Sequence, residues 1–538
     1  MSNVQTITSK IWAMANELRG TMDASEYKNY ILAFMFYRYL SKHQEQYLVD
    51  NHILELQENQ SVNEAYLAQA NGEELQDYLE DISASLGYAI NPEDTWDSLM
   101  DKIHNAVVMP SDYQALFDNF NQNANLNENA VADFRGVFND LNLGDSRLGN
   151  STNERAKSLG NIVKLVDEIE YKDDDGRDIL GEIYEYLIGQ FAANAGKKGG
   201  EFYTPHQVSK ILAKLVTLDV ADNQDNFLVY DPTMGSGSLL LTVGNELPKS
   251  KPIKYYGQEL NTTTYNLARM NLMMHGVSYK NMTLSNADTL ETDWPEGLDS
   301  QGIDQPLCRF DAVVANPPYS ANWDNHERKL KDARFQPFGA LAPASKADYA
   351  FILHSLYHLG EQGTMAIVLP HGVLFRGAAE GKIRKALIGD NSINAKGNYL
   401  DAVIGLPANL FYGTSIPTTI LVFKKNRNTK DILFIDASQH FEKGKNQNRL
   451  TDEQVQKIIE TYQQRKNVDK YAYVASLDEI IENDYNLNIP RYVDTFEEEE
   501  EIDIDLVLKQ LQDDDAEIVQ LEKEIHVQLK CLGINLPG

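Results

Sequence analysis

Three short stretches carry residue types that could do chemistry together. In the first, Phe227-Leu-Val-Tyr-Asp231-Pro-Thr-Met-Gly235-Ser236-Gly237-Ser238, an apolar run ends in a carboxylate and turns through two glycines before an apolar segment begins at Leu239. Glycines let a backbone approach a bound molecule without a Cβ in the way. Leu240 stands where the dinucleotide-binding pattern wants its third glycine, so no pyrophosphate cradle is indicated. In the second, Tyr256-Gly257-Gln258-Glu259, another strand-like run ends in a carboxylate that can accept from both hydroxyls of a ribose. The third is Val313-Val-Ala-Asn316-Pro317-Pro318-Tyr319. An aromatic exocyclic amine is a poor nucleophile, because its lone pair is delocalised into the ring. Two acceptors aimed at its hydrogens favour the pyramidal, attacking form. The Asn316 side-chain oxygen and the Pro317 carbonyl could be those acceptors, held by prolines that fix the backbone. Tyr319 offers a face on which a base can stack, worth about 1–3 kcal/mol.

These stretches must sit on elements that bring them together. From Phe202 to about Ala437, short apolar runs alternate with helical segments. The runs are 227–230, 255–260, 282–284, 312–315, 365–369, 402–406, 419–423 and 432–435. Alternation of this kind predicts crossover units and a mainly parallel sheet covered on both faces, a Rossmann-like α/β fold. In such a sheet ligands sit at the carboxyl ends of strands, so Asp231, Glu259 and Asn316 should meet at one crevice. Asp288, read as ending the third strand in Asn286-Ala287-Asp288, could meet the adenine of a bound cofactor there. D-P-x-x-G-S-G after a strand is a familiar form of the S-adenosylmethionine loop, and Asp231 suits the positive amine at that cofactor's methionine end.

Residues 1–165 read as a helical N-terminal domain, with Ile11, Trp12, Met14, Ala15 and Leu18, then Tyr30, Ile31, Phe34, Met35, Tyr37 and Leu40, at helical spacing. A turn at Asp173-Asp174-Asp175-Gly176 precedes a helix over 179–191. The break Ala195-Gly-Lys-Lys-Gly-Gly200 follows it. The catalytic domain is expected over 166–490. The run Glu497–Glu501 then leads into a helix with Ile518, Leu521, Ile525, Leu529 and Leu532 along one stripe, so 491–538 reads as an acidic linker and a contact helix.

Composition narrows the function. Hydrophobic residues are 42% and charged residues 24% of 538, ordinary for a folded globular chain. There is no apolar run long enough to span a membrane and no secretory signal, so a cytoplasmic location is expected. Two cysteines, Cys308 and Cys531, cannot build a disulfide framework or a cysteine zinc site, and no metal is required by the motifs. A net charge of −32 points away from a simple nucleic-acid binder, since phosphate contact needs Lys and Arg. If DNA is the substrate, another chain supplies much of the affinity.

The motifs together resemble the modification subunit of Type I restriction-modification systems, in the N6-adenine DNA methyltransferase family. Gly200-Glu201-Phe202-Tyr203-Thr204-Pro205 resembles the family element that helps enclose the cofactor, and its place before the D-P-x-x-G-S-G loop is similar to the gamma order of amino-methyltransferases. The segments Ser345–Phe351, Val368–Phe375, Val403–Pro407, Leu410-Phe411 and Thr414–Thr418 resemble later family segments, with Ser415 where many relatives carry glycine. The start, Ile11-Trp12 through Arg19-Gly20 and on to Phe36–Tyr39, resembles its helical N-terminal domain. The resemblance implies methyl transfer from S-adenosylmethionine to the N6 amine of a flipped adenine. Asn316, Pro317, Pro318 and Tyr319 would be catalytic. Gly200 to Pro205, Asp231, Gly235, Ser236, Gly237, Ser238, Glu259 and Asp288 would hold the cofactor. It also implies DNA, a specificity subunit, a second copy of this chain and in some assemblies a restriction subunit as partners. Rival readings are methylation of RNA or of protein glutamine, and a non-catalytic scaffold. The extended N-terminus and the late segments disfavour the former; the intact motifs disfavour the latter. Arg328, Lys329, Lys331 and Arg334, with Phe335, form a basic-aromatic island expected to lie against DNA. The recognition sequence and any preference for hemimethylated sites would belong to the partner chain.

Overall fold

A computed structural model describes residues 24–169, 180–194, 204–220, 225–291, 309–389, 397–411, 414–444, 447–494 and 504–532. Among them the chain separates into two compact units, 1–493 and 494–538.

The first unit is built on a nine-stranded sheet. Its strands are β1 (Phe227–Asp231), β2 (Ile253–Glu259), β3 (Met282–Asn286), β4 (Phe310–Ala315), β5 (Leu359–Pro370), β6 (Leu400–Gly405), β7 (Thr418–Lys424) and β8 (Ile432–Asp436). A small hairpin, β9 (Glu442–Lys443) with β10 (Asn448–Arg449), lies outside the sheet, and β11 (Ala472–Ala475) completes it. The order is β11-β8-β6-β7-β5-β4-β1-β2-β3. Pairing is parallel from β3 through β5 and between β6 and β8, while β7 and β11 run antiparallel to their neighbours. All eight strand runs expected from the sequence are present. β11 was not anticipated, because Ala472-Tyr-Val-Ala475 is short and covers only an edge.

Strands such as β6 and β8 are buried along their whole length. This is the mark of a sheet covered on both faces, and it explains why their apolar runs are continuous rather than alternating. Successive residues of β1 show the two sides: Val229 joins one core cluster and Tyr230 the other. The first cluster runs on into the N-terminal helices, through Tyr30, Phe34, Tyr37, Phe117 and Phe138. Between residues 24 and 169 every regular element is a helix, as expected, and two of these helices begin with reciprocal caps, Ser61 with Glu64 and Ser151 with Glu154. A smaller cluster around Tyr66 and Ile82 is private to this region.

Arg269, on the helix Thr262–Met274 that follows β2, is nearly fully buried. It donates to the carbonyls of Ala132, Asp133 and Arg135 at 3.0–3.1 Å. Beside it, Asn266 donates to Asp140 at 2.5 Å. The helix leaving a candidate cofactor strand is thus clasped to the N-terminal region.

In the second unit, the helix Ile504–Cys531 leaves Ile518, Leu521 and Ile525 about half exposed, and Leu532 just past its end is more exposed still. The expected 179–191 helix runs Leu180–Asn194. The turn at 173–176, the break at 195–200, the 497–501 run and the Ile11–Gly20 segment lie outside the described residues.

Candidate active site

The chain passes from β1 to β2 and β3 on one side and returns to β4 on the other, so β1 and β4 flank a switch point, the place in an open α/β sheet where ligands bind at the strand ends. Asp231 closes β1, and Asn316 follows the end of β4.

On the β1 side, Asp231 is almost wholly buried and accepts from the Thr233 backbone N–H at 2.9 Å. Burial pushes its carboxyl up to about 8; the nearby Glu259 adds to the rise and the Thr233 N–H opposes it. A buried acid in this state suits a cationic partner that would draw off its proton. Gly235 and Gly237 have φ of +53° and +76°, left-handed values that favour glycine. A Cβ on Gly237 would lie 2.4 Å from the Leu272 side chain, so a larger residue there must displace Leu272 as well as take a strained backbone. The helix Ser238–Glu246 starts from this turn. Ser236 and Ser238 are buried; their hydroxyls lie 3.1 Å apart, and Asn271 donates to the Ser236 carbonyl at 2.9 Å. These serines shape the turn from behind.

Glu259 ends β2. Its Oε2 accepts from the Gly235 N–H at 3.1 Å and its Oε1 from the Asn261 N–H at 2.8 Å, and burial raises its carboxyl. One carboxylate therefore ties the glycine turn to the β2 end, and each oxygen keeps a second lone pair for a hydroxyl. Gly257, which sequence reasoning passed over, lets β2 and the turn close up. A Cβ there would fall 2.3 Å from the Met234 sulfur. β3 stops at Asn286, so Asp288 lies in the turn beyond it, half-buried and accepting from the Leu290 N–H at 2.9 Å. Left-handed glycines, a buried carboxylate that is paired with no cation among the described residues, and a second carboxylate at the neighbouring strand end fit the methionine and ribose parts of S-adenosylmethionine.

On the β4 side, the Asn316 Nδ2 donates to the Thr204 hydroxyl at 3.0 Å, and its Oδ1 accepts from the Tyr319 hydroxyl at 2.9 Å. Thr204 thus fixes the amide orientation and leaves the oxygen as the acceptor. Of the segment 200–205, only Thr204 and Pro205 are described; Gly200, Glu201, Phe202 and Tyr203 lie outside the described residues. Pro317 is buried and Pro318 half-buried. Tyr319 meets Phe411 edge to face at 5.8 Å, which adds an aromatic wall from the Leu410-Phe411 segment.

Asp348 was not singled out from the sequence. Fully buried, it accepts from the Ser320 N–H at 2.8 Å and from Arg376 at 3.0 Å, and Arg376 also holds Glu380 at 2.9 Å. The residue after Tyr319 is thereby pinned, and Ser320 itself takes a φ of +51°. The only sequence hint was a buried-type acid inside the apolar run Ala347–Phe351.

The basic-aromatic island requires correction. Lys329, Arg334 and Phe335 are 6%, 2% and 1% exposed, so they do not face DNA. Lys329 donates to the Leu290 carbonyl at 3.0 Å and to Glu291 at 2.6 Å, and lies over the Trp323 ring. Arg334 pairs with Asp332. Carbonyls and carboxylates inside the fold satisfy these cations, which sequence spacing could not reveal. Arg328 and Lys331 remain exposed, Arg328 paired with Asp324.

Among the described residues no group of His, Cys, Asp or Glu could hold a metal ion, and no helix is long and apolar enough to cross a membrane.

Comparison with known proteins gives a consistent picture. Residues 175–501 match the N-6 DNA Methylase family and residues 7–166 the HsdM N-terminal domain family. The chain is 38% identical to the Type I restriction enzyme MpnII methylase subunit of Mycoplasma pneumoniae, over 97% of this chain and 95% of that protein. It is 31% identical to the HindI methylase subunit of Haemophilus influenzae, over 66% and 79%. The crystal structure of the type I restriction-modification system methyltransferase subunit from Streptococcus thermophilus superposes with a TM-score of 0.82 at 44% identity, covering 92% of this chain and all of that one.

Proposed function

This chain belongs to the N-6 DNA methylase family, among the methylase subunits of type I restriction-modification systems, and on that premise we propose how its crevice divides the work of adenine methylation. The activity is adenine-specific DNA methylation. When bound, S-adenosylmethionine supplies an activated methyl group on its sulfonium.

The residues on the β1 and β2 side hold that cofactor. Asp231 pairs with the ammonium, Glu259 accepts from the ribose hydroxyls, and the turn from Gly235 to Ser238 admits the backbone-close methionine end. Asp288 contributes at the adenine end, and the segment Gly200–Pro205 covers the cleft. On the β4 side, the target adenine leaves the duplex, at a cost of a few kcal/mol, and presents its amine to Asn316. The Asn316 Oδ1 and the Pro317 carbonyl accept the two amine hydrogens. The Tyr319 hydroxyl, which occupies Oδ1 in the resting site, gives way as the amine arrives. With the cofactor held there, the nitrogen would gain the methyl carbon as the carbon–sulfur bond breaks, its electron pair staying on sulfur to leave a neutral thioether, and would lose one proton to solvent. Pro318 keeps the turn rigid and Tyr319 stacks on the base.

One observation carries this reading: the Asn316 amide is oriented by Thr204 at the switch point beside a buried carboxylate turn. The strongly acidic chain also favours a division of labour in which a specificity subunit reads the sequence and makes much of the phosphate contact. A second copy of this chain, and in a restricting assembly a restriction subunit, complete the proposed complex. A cytoplasmic location follows from the DNA substrate.

The test is transfer of labelled methyl groups to duplex DNA by this chain alone and with its specificity subunit, followed by identification of the base. N6-methyladenine appearing only with the partner supports the reading. Cofactor binding and complex formation without DNA label would overturn it.

A further inference from the structure

The cations that turned inward lead to a network that no motif predicts. Arg334 Nη1 donates to the Thr289 carbonyl at 2.9 Å and lies 3.1 Å from His354 Nδ1. The other ring nitrogen of His354 lies 2.8 Å from the Tyr230 hydroxyl, which lies 2.7 Å from Gln258 Oε1. All four side chains are at most 2% exposed.

The direction of this chain of bonds follows from its first member. A guanidinium has donors only, so His354 Nδ1 must accept and its Nε2 must carry the proton. Nε2–H then donates to the Tyr230 oxygen, and the Tyr230 hydroxyl donates to Gln258. A charged imidazolium would break the chain at its first link. Burial, then His358 and Arg334, hold His354 well below the ordinary imidazole range, consistent with a neutral ring.

The positions touched are the telling feature. Tyr230 immediately precedes Asp231, Gln258 immediately precedes Glu259, and Thr289 immediately follows Asp288. One buried network therefore grips the neighbours of three candidate cofactor carboxylates, Asp231, Glu259 and Asp288. The Thr289 hydroxyl adds a bond to the Pro232 carbonyl at 2.5 Å. The hub, Arg334, comes from the segment after Asn316-Pro-Pro-Tyr319, on the base side of the crevice.

We infer that Arg334, His354, Tyr230 and Gln258 form a positioning network that sets the spacing of Asp231, Glu259 and Asp288, and that ties the cofactor cleft to the segment following the catalytic turn. The inference rests on the assignment of those carboxylates to the cofactor.

The experiment uses the full chain and S-adenosylhomocysteine as the calorimetric probe. Wild-type binding is measured first; its absence would overturn the cofactor assignment and this network's role with it. Given wild-type binding, Tyr230→Phe and Arg334→Met are expected to weaken the probe tenfold or more while unfolding cooperatively. In the assembled enzyme, KM for the cofactor should rise far more than kcat falls, and Arg334→Lys should recover part of the loss. Tyr462→Phe serves as comparator, because it removes a buried hydroxyl bond to Asp401, at 2.6 Å, from a distant part of the sheet. Unchanged affinity in both network variants, or an equal loss in Tyr462→Phe, would overturn the inference. Should Arg334→Met fail to fold, Tyr230→Phe and Thr289→Val decide on the same criterion.

Discussion

Asn316 shows how much one amide is asked to do. Its nitrogen donates to Thr204 and its oxygen accepts from Tyr319, so on the proposed reading replacing it removes the acceptor for the amine without touching the β1 side. Asn316→Ala is expected to keep cofactor binding and lower kcat by about 10²–10³-fold, the usual effect of deleting one preorganised polar group. Single-turnover methylation in the assembled enzyme, beside cofactor titration, checks this; near-normal turnover would remove Asn316 from its role. Asp231 makes a different prediction. An unfolded Asp titrates near 3.9, whereas the buried carboxyl is raised to about 8. Between those values the folded chain holds a proton that the unfolded chain has lost. The stability of the cofactor-free chain attributable to this group therefore falls as pH rises through about 4 to 8. The cofactor ammonium requires the ionised form, so binding below pH 8 should release a proton and weaken as pH falls. Calorimetry in buffers of different ionisation enthalpy reads that proton directly. Asp231→Asn should bind more weakly at pH 8.5 and abolish the release; release of the same proton by the variant would contradict the assignment.

At the scale of elements, the turn between β1 and its helix and the turn after β4 are held in opposite ways. The first depends on missing side chains. Gly237→Ala places a Cβ 2.4 Å from Leu272 on a left-handed backbone, and should cost about 1–3 kcal/mol as well as cofactor affinity. Urea unfolding and cofactor titration measure the two losses; a variant within about 0.5 kcal/mol of wild type would show that the turn relaxes freely. The second turn depends on a buried ion pair. Asp348 and Arg376 hold Ser320 beside Tyr319, the residue proposed to stack on the base. Such a pair matters less for net stability than for the cost of breaking it, which leaves an uncompensated charge. The same principle explains the inward Lys329 and Arg334: once desolvated, each needs its full set of acceptors, and the turn after Asp288 provides them.

Over the whole molecule, one core cluster joins the N-terminal helices to the sheet, and the Arg269 clasp reinforces that junction. Arg269→Met leaves three carbonyls without their shared donor and should destabilise the first unit by about 2–4 kcal/mol. Denaturant unfolding tests the value, and a loss under about 0.5 kcal/mol would show that the clasp is incidental. The second unit behaves differently. Its helix exposes a run of large apolar side chains, more than a lone helix usually presents to water. Removing residues after Asp494 is expected to leave cofactor binding unchanged and to abolish co-purification with the specificity subunit. Retained co-purification would place the contact on the first unit.

Local order in the chain settled what local order can settle. Continuous apolar runs marked the strands, because a sheet covered on both faces leaves no polar alternation. Glycines at 235 and 237 marked a tight turn, because few other residues take that backbone. Asn316 beside two prolines marked an acceptor fixed in place. The sequence also carried the family resemblance, since those motifs recur in one order. Only the tertiary structure decided which charges face inward. Lys329 and Arg334 look like surface residues in sequence, and their acceptors at 289–291 are distant along the chain. Asp348 and Arg376, Thr204 and Asn316, and Tyr230 with Gln258 and His354 are likewise pairs made by strand order and helix packing. Residue type states what a side chain can bond. Which partner it meets in a dry interior depends on the fold that brings distant segments within 3 Å.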